Sequence, residues 1–156
     1  MSSRHPITCH ILDTSRGKPA TNVQCKIYRI DNVKDASEYF TSVNVPFGTA
    51  QTNSDGRVSN WTIDSPTGSE DKATFLTRDD SGCGKWEKLV PGVYKIKFET
   101  KAYFNQASSQ SEDNSLSSRT FFPFVEVCFV VESPPDNHYH IPLLLSNHSY
   151  STYRGS

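Results

Sequence analysis

The chain of 156 residues has no CxxC pair, no GxSxG elbow, no apolar run of membrane-spanning length and no excess of either charge. Each absence removes a class of function. Four cysteines, Cys9, Cys25, Cys83 and Cys128, lie far apart, three of them in strand-like apolar patterns where a small buried thiol is common; this speaks against disulfide and metal roles. Sixteen basic against 17 acidic residues, a formal net charge of −1, give no single-signed field for nucleic acid or an anionic membrane, so neither is expected as a partner. Met1 to Pro6 is short and polar and runs straight into a strand, which leaves no room for a signal peptide. The expectation is an intracellular protein with reduced thiols; the chain does not end in the Ser-Lys-Leu peroxisomal address and shows no clear N-terminal substitute, which leaves cytoplasm and peroxisome (cytoplasmic or peroxisomal) both open. A hydrophobic fraction of only 35% means a modest core, with long polar loops or subunit contacts beside it.

What is present is alternation, over a length that fits one domain, residues 1–156. Ile7 to Asp13 sets Ile7, Cys9 and Ile11 on one face and Thr8, His10 and Leu12 on the other. Ser15-Arg16-Gly17-Lys18-Pro19 reads as a turn. From Val23 to Ile30, Val23, Cys25 and Ile27 point inward and Gln24, Lys26 and Tyr28 outward. Phe47 to Thr52 is a short strand ending in Asn53-Ser54-Asp55-Gly56, whose Asp-Gly favours hairpin geometry, with Arg57 directly after it. In Val93 to Thr100, Tyr94, Ile96 and Phe98 oppose Lys95, Lys97 and Glu99, a half-buried strand. Lys101 to Ala107 is a short helix carrying Tyr103 and Phe104, and Val125 to Glu132 is again a strand. Residues 31–46 read as a long connection, 64–88 as an insertion loop with little regular structure anchored by Trp86, and 108–118 as a Ser-rich mobile stretch. These elements predict an antiparallel two-sheet β-sandwich of about seven to eight strands with one short helix.

The strand at His138 to Leu145 departs from a solvated pattern. Tyr139, Ile141, Leu143 and Leu145 make a core face, whereas His138, His140, Pro142 and Leu144 pair imidazoles with apolar side chains. His10, His140 and Arg57 all project from sheet surfaces or edges. Two neutral imidazoles and a guanidinium suit the binding of a planar, anionic, oxygen-rich substrate and the activation of water. The competing reading is a metal held by His138 and His140, but no Asp, Glu or Cys lies nearby to complete the usual ligand set. Leu12 and Leu144 share faces with His10 and His140, which fits a cleft left where two subunits meet; a covering loop is the other reading.

His10-Ile11-Leu12-Asp13-Thr14, Asp55-Gly56-Arg57, Pro91-Gly92-Val93-Tyr94, Phe121-Phe122-Pro123, the His138–Leu145 strand and the terminal Tyr153-Arg154-Gly155-Ser156 resemble, in order, the transthyretin-related 5-hydroxyisourate hydrolases. The terminal motif is the piece that separates these hydrolases from the hormone carriers of the same fold. The resemblance implies a transthyretin-like sandwich assembled as a homotetramer, a dimer of dimers with sites at the dimer–dimer interface. It implies hydrolysis of the ring amide of 5-hydroxyisourate to 2-oxo-4-hydroxy-4-carboxy-5-ureidoimidazoline, in urate degradation, with no metal or organic cofactor. By motif, His10, Arg57 and His140 are the implied catalytic residues and Tyr153, Arg154 and Ser156 the implied substrate-binding ones. The alternative is a small-molecule carrier of the same fold without catalysis.

Overall fold

The alternation in the sequence is realised as burial. Ile7, Cys9, Ile11, Val23, Cys25, Ile27, Tyr94, Ile96, Phe98 and Leu143 lose all contact with solvent and meet between two sheets. The computed structural model describes residues 4–30, 46–63, 76–78, 84–86, 88–109 and 118–156. Along them run β1 (Ile7–Asp13), β2 (Lys18–Pro19), β3 (Gln24–Arg29), β4 (Gly48–Gln51), β5 (Arg57–Val58), β6 (Thr62–Ile63), β7 (Leu76–Arg78) and β8 (Gly84–Trp86). β9 (Gly92–Phe98), helix α1 (Thr100–Ser109), β10 (Val125–Val131), β11 (Tyr139–Leu145) and β12 (Tyr150–Thr152) complete the order.

One sheet runs β12-β11-β1-β2 with β5 also on β1, and the other runs β10-β9-β3-β4-β6. Nearly all pairings are antiparallel, as the alternating pattern predicts. The exception is β1 with β11, which run parallel with Ile7 opposite Tyr139 and Asp13 opposite Leu145. A parallel pair needs a long crossover, and here most of the chain intervenes between its two strands. Two further departures are local. Lys18–Pro19, read as turn, adds a two-residue strand to β1, because Pro19 sits at a sheet edge where its missing N–H costs nothing. Within 64–88, expected to lack regular structure, β7 and β8 pair antiparallel, and Trp86 at the end of β8 is buried in the core. Residues 31–45, 64–75, 79–83, 87 and 110–117 lie outside the described residues.

Period two also placed Tyr28 and Lys95 outward, and they are nonetheless buried. On the outer face of the second sheet the Lys95 ammonium lies 4.6 Å from the centre of the Tyr28 ring and 3.3 Å from Glu126. The long side chains cover one another, so a nominally wet face is closed by its own charged residues. At the far end of β1, Asp13 is fully buried and accepts hydrogen bonds from the Tyr103 hydroxyl of α1 (2.7 Å) and the Arg16 N–H (3.1 Å).

Candidate active site

β1 is the axis of the site. Its parallel partner β11 sets His140 opposite Thr8, and its antiparallel partner β5 sets Arg57 opposite His10. On one face of one sheet the three strands collect residues from the start, middle and end of the chain. The His10 and His140 ring centres are 6.5 Å apart, and those of His138 and His140 6.3 Å.

Arg57 owes its place to the turn before it. Asn53 Oδ1 accepts from the N–H groups of Asp55 and Arg57, both at 2.9 Å, and Gly56 takes a φ of +72°. The expected hairpin is not formed between paired strands: β4 belongs to one sheet and β5 to the other, and the turn carries the chain across. Ile11 N–H donates to the Gly56 carbonyl at 2.8 Å, so the turn lies tight against β1.

The C-terminal residues return to the same place. The Gly155 N–H donates to the His140 carbonyl at 2.8 Å. A Cβ at Gly155 would stand 2.6 Å from His140 Cδ2, so only glycine lets the tail lie against the imidazole. Ser156 thereby joins Arg57, His140 and His138 in the lining of an open cleft, together with Arg4 and Thr8. Tyr153 is exposed and Arg154 points elsewhere: its guanidinium meets Asp136 at 2.6 Å and lies over the Tyr139 ring at 4.6 Å. Of the six residues expected from the sequence, the structure gathers His10, Arg57, His140 and Ser156, and leaves Tyr153 and Arg154 on the outer side of the tail.

Thr8, which the alternation put on the same face as His10 but which carried no role in the sequence reading, proves central. Its hydroxyl, on a buried side chain, lies 2.7 Å from His140 Nδ1 and 3.0 Å from His138 Nε2. One nitrogen of each ring, His140 Nδ1 and His138 Nε2, is therefore engaged with the same hydroxyl. Arg4 was also missed, because it precedes the first strand and belongs to no pattern.

The imidazoles are held neutral. Burial lowers the pKa of His140 below its usual 6.5, and the charges of Arg57, His138, His10 and Arg4 lower it further. His10 is lowered by burial and by Arg57, with a hydrogen bond to the Asp55 backbone and the Asp55 charge opposing. His138 is lowered by burial and by Arg4. Among the described residues no Asp or Glu side chain lines the cleft. Its character is thus two guanidiniums beside neutral bases, a setting for an anion and an ionising water.

Comparison with known proteins adds the following. Residues 7–155 match the model of the HIUase/Transthyretin family. The chain is 33% identical over 150 residues to the "Probable 5-hydroxyisourate hydrolase" of Schizosaccharomyces pombe, covering 96% of this chain and 90% of that protein. It is 34% identical over 156 residues to "5-hydroxyisourate hydrolase 2" of Rhizobium meliloti, covering all of both chains. Among solved structures, 5-hydroxyisourate hydrolase from Klebsiella pneumoniae shares the fold with a TM-score of 0.59 at 23% identity, over 96% of this chain and 98% of that one.

Proposed function

The chain belongs to the HIUase/Transthyretin family, and from that premise we propose that it is a 5-hydroxyisourate hydrolase acting in urate degradation. The observation that carries the reading is the convergence of Arg57, His140 and Ser156 on one cleft with His10 beside it. A carrier of small apolar ligands has no use for a cleft lined by two guanidiniums and two imidazoles, whereas a hydrolase of an anionic, oxygen-rich ring needs both.

In this reaction water adds to the ring carbonyl, the C–N bond breaks, and the ring opens to a carboxylate, giving 2-oxo-4-hydroxy-4-carboxy-5-ureidoimidazoline. His10 and His140 position the water, and a neutral imidazole takes its proton and returns one to the departing nitrogen. Arg57 binds the oxygen-rich edge and stabilises the oxyanion that forms on the carbonyl. Ser156 closes the cleft beside His140; Tyr153 faces outward to substrate or a second subunit, and Arg154 clamps the tail to Asp136 so that Ser156 stays in place. The proposal includes catalysis without a metal, the proton transfers being assigned to the imidazoles and the charge stabilisation to Arg57. It also includes a single transthyretin-like domain in a homotetramer with sites at the dimer–dimer interface, and an intracellular setting, cytoplasmic or peroxisomal, in keeping with the unpaired thiols of Cys9, Cys25 and Cys128.

The test is the decay of freshly generated 5-hydroxyisourate, followed by ultraviolet absorbance. The protein is expected to accelerate it, and His140→Ala to lower the rate by about 10²-fold or more. A folded wild-type protein that leaves the decay unchanged would return the chain to the carrier reading.

A further inference from the structure

A hydroxyl has one proton. Thr8 Oγ1 stands within hydrogen-bond distance of two imidazole nitrogens and can donate to only one of them, so where it uses its proton between the rings it donates to one and accepts from the other. The two arrangements are chemically opposite. If Thr8 donated to His140 Nδ1, the single proton of neutral His140 would sit on Nε2, the ring nitrogen left for the cleft, and His140 could not act as a base there. If His140 Nδ1–H donates to Thr8 and Thr8 donates to His138 Nε2, the His140 Nε2 lone pair is bare.

The surroundings of His140 favour the second arrangement. With Nδ1 engaged by Thr8, Nε2 is the His140 nitrogen left for the cleft that Arg57 also lines, and beside a guanidinium a lone pair is better placed than an N–H. In that arrangement the Thr8 proton has its acceptor at hand, His138 Nε2 at 3.0 Å.

We propose that Thr8 and His138 are positioning residues, a hydrogen-bonded chain His140 Nδ1–H to Thr8 Oγ–H to His138 Nε2 that fixes His140 as the general base. This deepens the hydrolase reading and rests on it. In the step it serves, a water O–H breaks and its proton passes to His140 Nε2 as the water oxygen bonds the ring carbonyl carbon. The Nδ1 proton stays on its nitrogen, its bond to Thr8 shortening as the ring becomes cationic, and the Nε2 proton then goes to the nitrogen released when the C–N bond breaks. Thr8 and His138 touch no substrate; they decide which nitrogen of His140 is free.

The experiment has two arms. Long-range 1H–15N NMR of the wild-type protein at pH 7.5 is expected to show His140 protonated at Nδ1 and bare at Nε2. In steady-state assays Thr8→Val should lower kcat by about 10²-fold with little change in KM, and Thr8→Ser should recover most of it. His138→Gln keeps a carbonyl acceptor for the Thr8 hydroxyl and should retain most activity; His138→Leu, which frees Thr8 to donate to His140, should fall with Thr8→Val. A proton on His140 Nε2 in the wild type overturns the proposal, as does a Thr8→Val or His138→Leu kcat within about threefold of wild type. Should Thr8→Val fail to fold, the His138 pair and the tautomer still decide. The NMR arm reads the chain of bonds even if the protein proves not to hydrolyse 5-hydroxyisourate, so the two ideas fail separately.

Discussion

An imidazole is useful as a base at neutral pH only if something keeps it from charging early, and at His140 burial and the neighbouring cations do this together. The sign follows directly. The folded pKa lies below the usual 6.5 and the neutral form is the active one, so kcat/KM should be flat above about pH 6.5 and fall only at lower pH, through the folded pKa. Arg4→Gln removes one of the lowering charges, and its acidic limb should move to higher pH; a wild-type limb at or above 6.5 would mean that these neighbours do not tune the base. Arg57→Ala is the harsher change, since it also deletes the proposed oxyanion donor; steady-state assays should find a loss on the order of 10²-fold or more. At this scale much was legible beforehand. Period two identified His10 and His140 as outward, and the Asp55-Gly56-Arg57 turn marked Arg57. The Thr8 bridge was not, because it depends on β1 lying parallel to β11, a pairing between segments some 130 positions apart that no local pattern encodes.

The elements fix the site through a few tight contacts rather than through general rigidity. Gly56 shows one of them: a Cβ there would lie 2.5 Å from the Ile11 carbonyl oxygen, so the turn that presents Arg57 can press against β1 only without a side chain. The other end of β1 is tied by Asp13 to α1. In Tyr103→Phe the buried Asp13 carboxyl keeps the Arg16 N–H but loses the Tyr103 hydroxyl, at a cost of about 1–3 kcal/mol. Urea denaturation should show that cost as a lower midpoint with an unchanged slope. Turnover in native buffer should be retained, because the cleft lies at the opposite end of the strand; an unchanged midpoint would show that the Tyr103 bond adds nothing to holding the helix. The existence of β1, β3, β9, β10 and β11 followed from their alternation, and α1 was foreseen within two residues at its end. The sheet assignment of β4 and β5 was not foreseen, since the turn between them looks like hairpin chemistry while its hydrogen bonds to β1 carry the chain across.

For the whole molecule, the outer surfaces of the sandwich are as informative as its core. β10 and β12 stand at the ends of their sheets, and Val130 on one and Tyr150 on the other are exposed, as is Phe121 nearby in the chain. Edge strands bearing apolar side chains call for cover. So does the face that carries the cleft, where Leu144 is 37% exposed on the strand that holds His140. The homotetramer in our proposal would supply that cover, and it would separate two contributions to catalysis: the titrating and cationic groups would come from one protomer and exclusion of water from the cleft from the neighbour. Leu144→Lys tests the separation, because it places a charge on the facing surface without touching Arg57, His10 or His140. Light scattering should then find smaller assemblies than in the wild type, with specific activity falling in step and recovering at protein concentrations that drive reassembly. Dissociated protomers or dimers with full activity would place the complete site inside one sandwich and leave the interface no part in the chemistry.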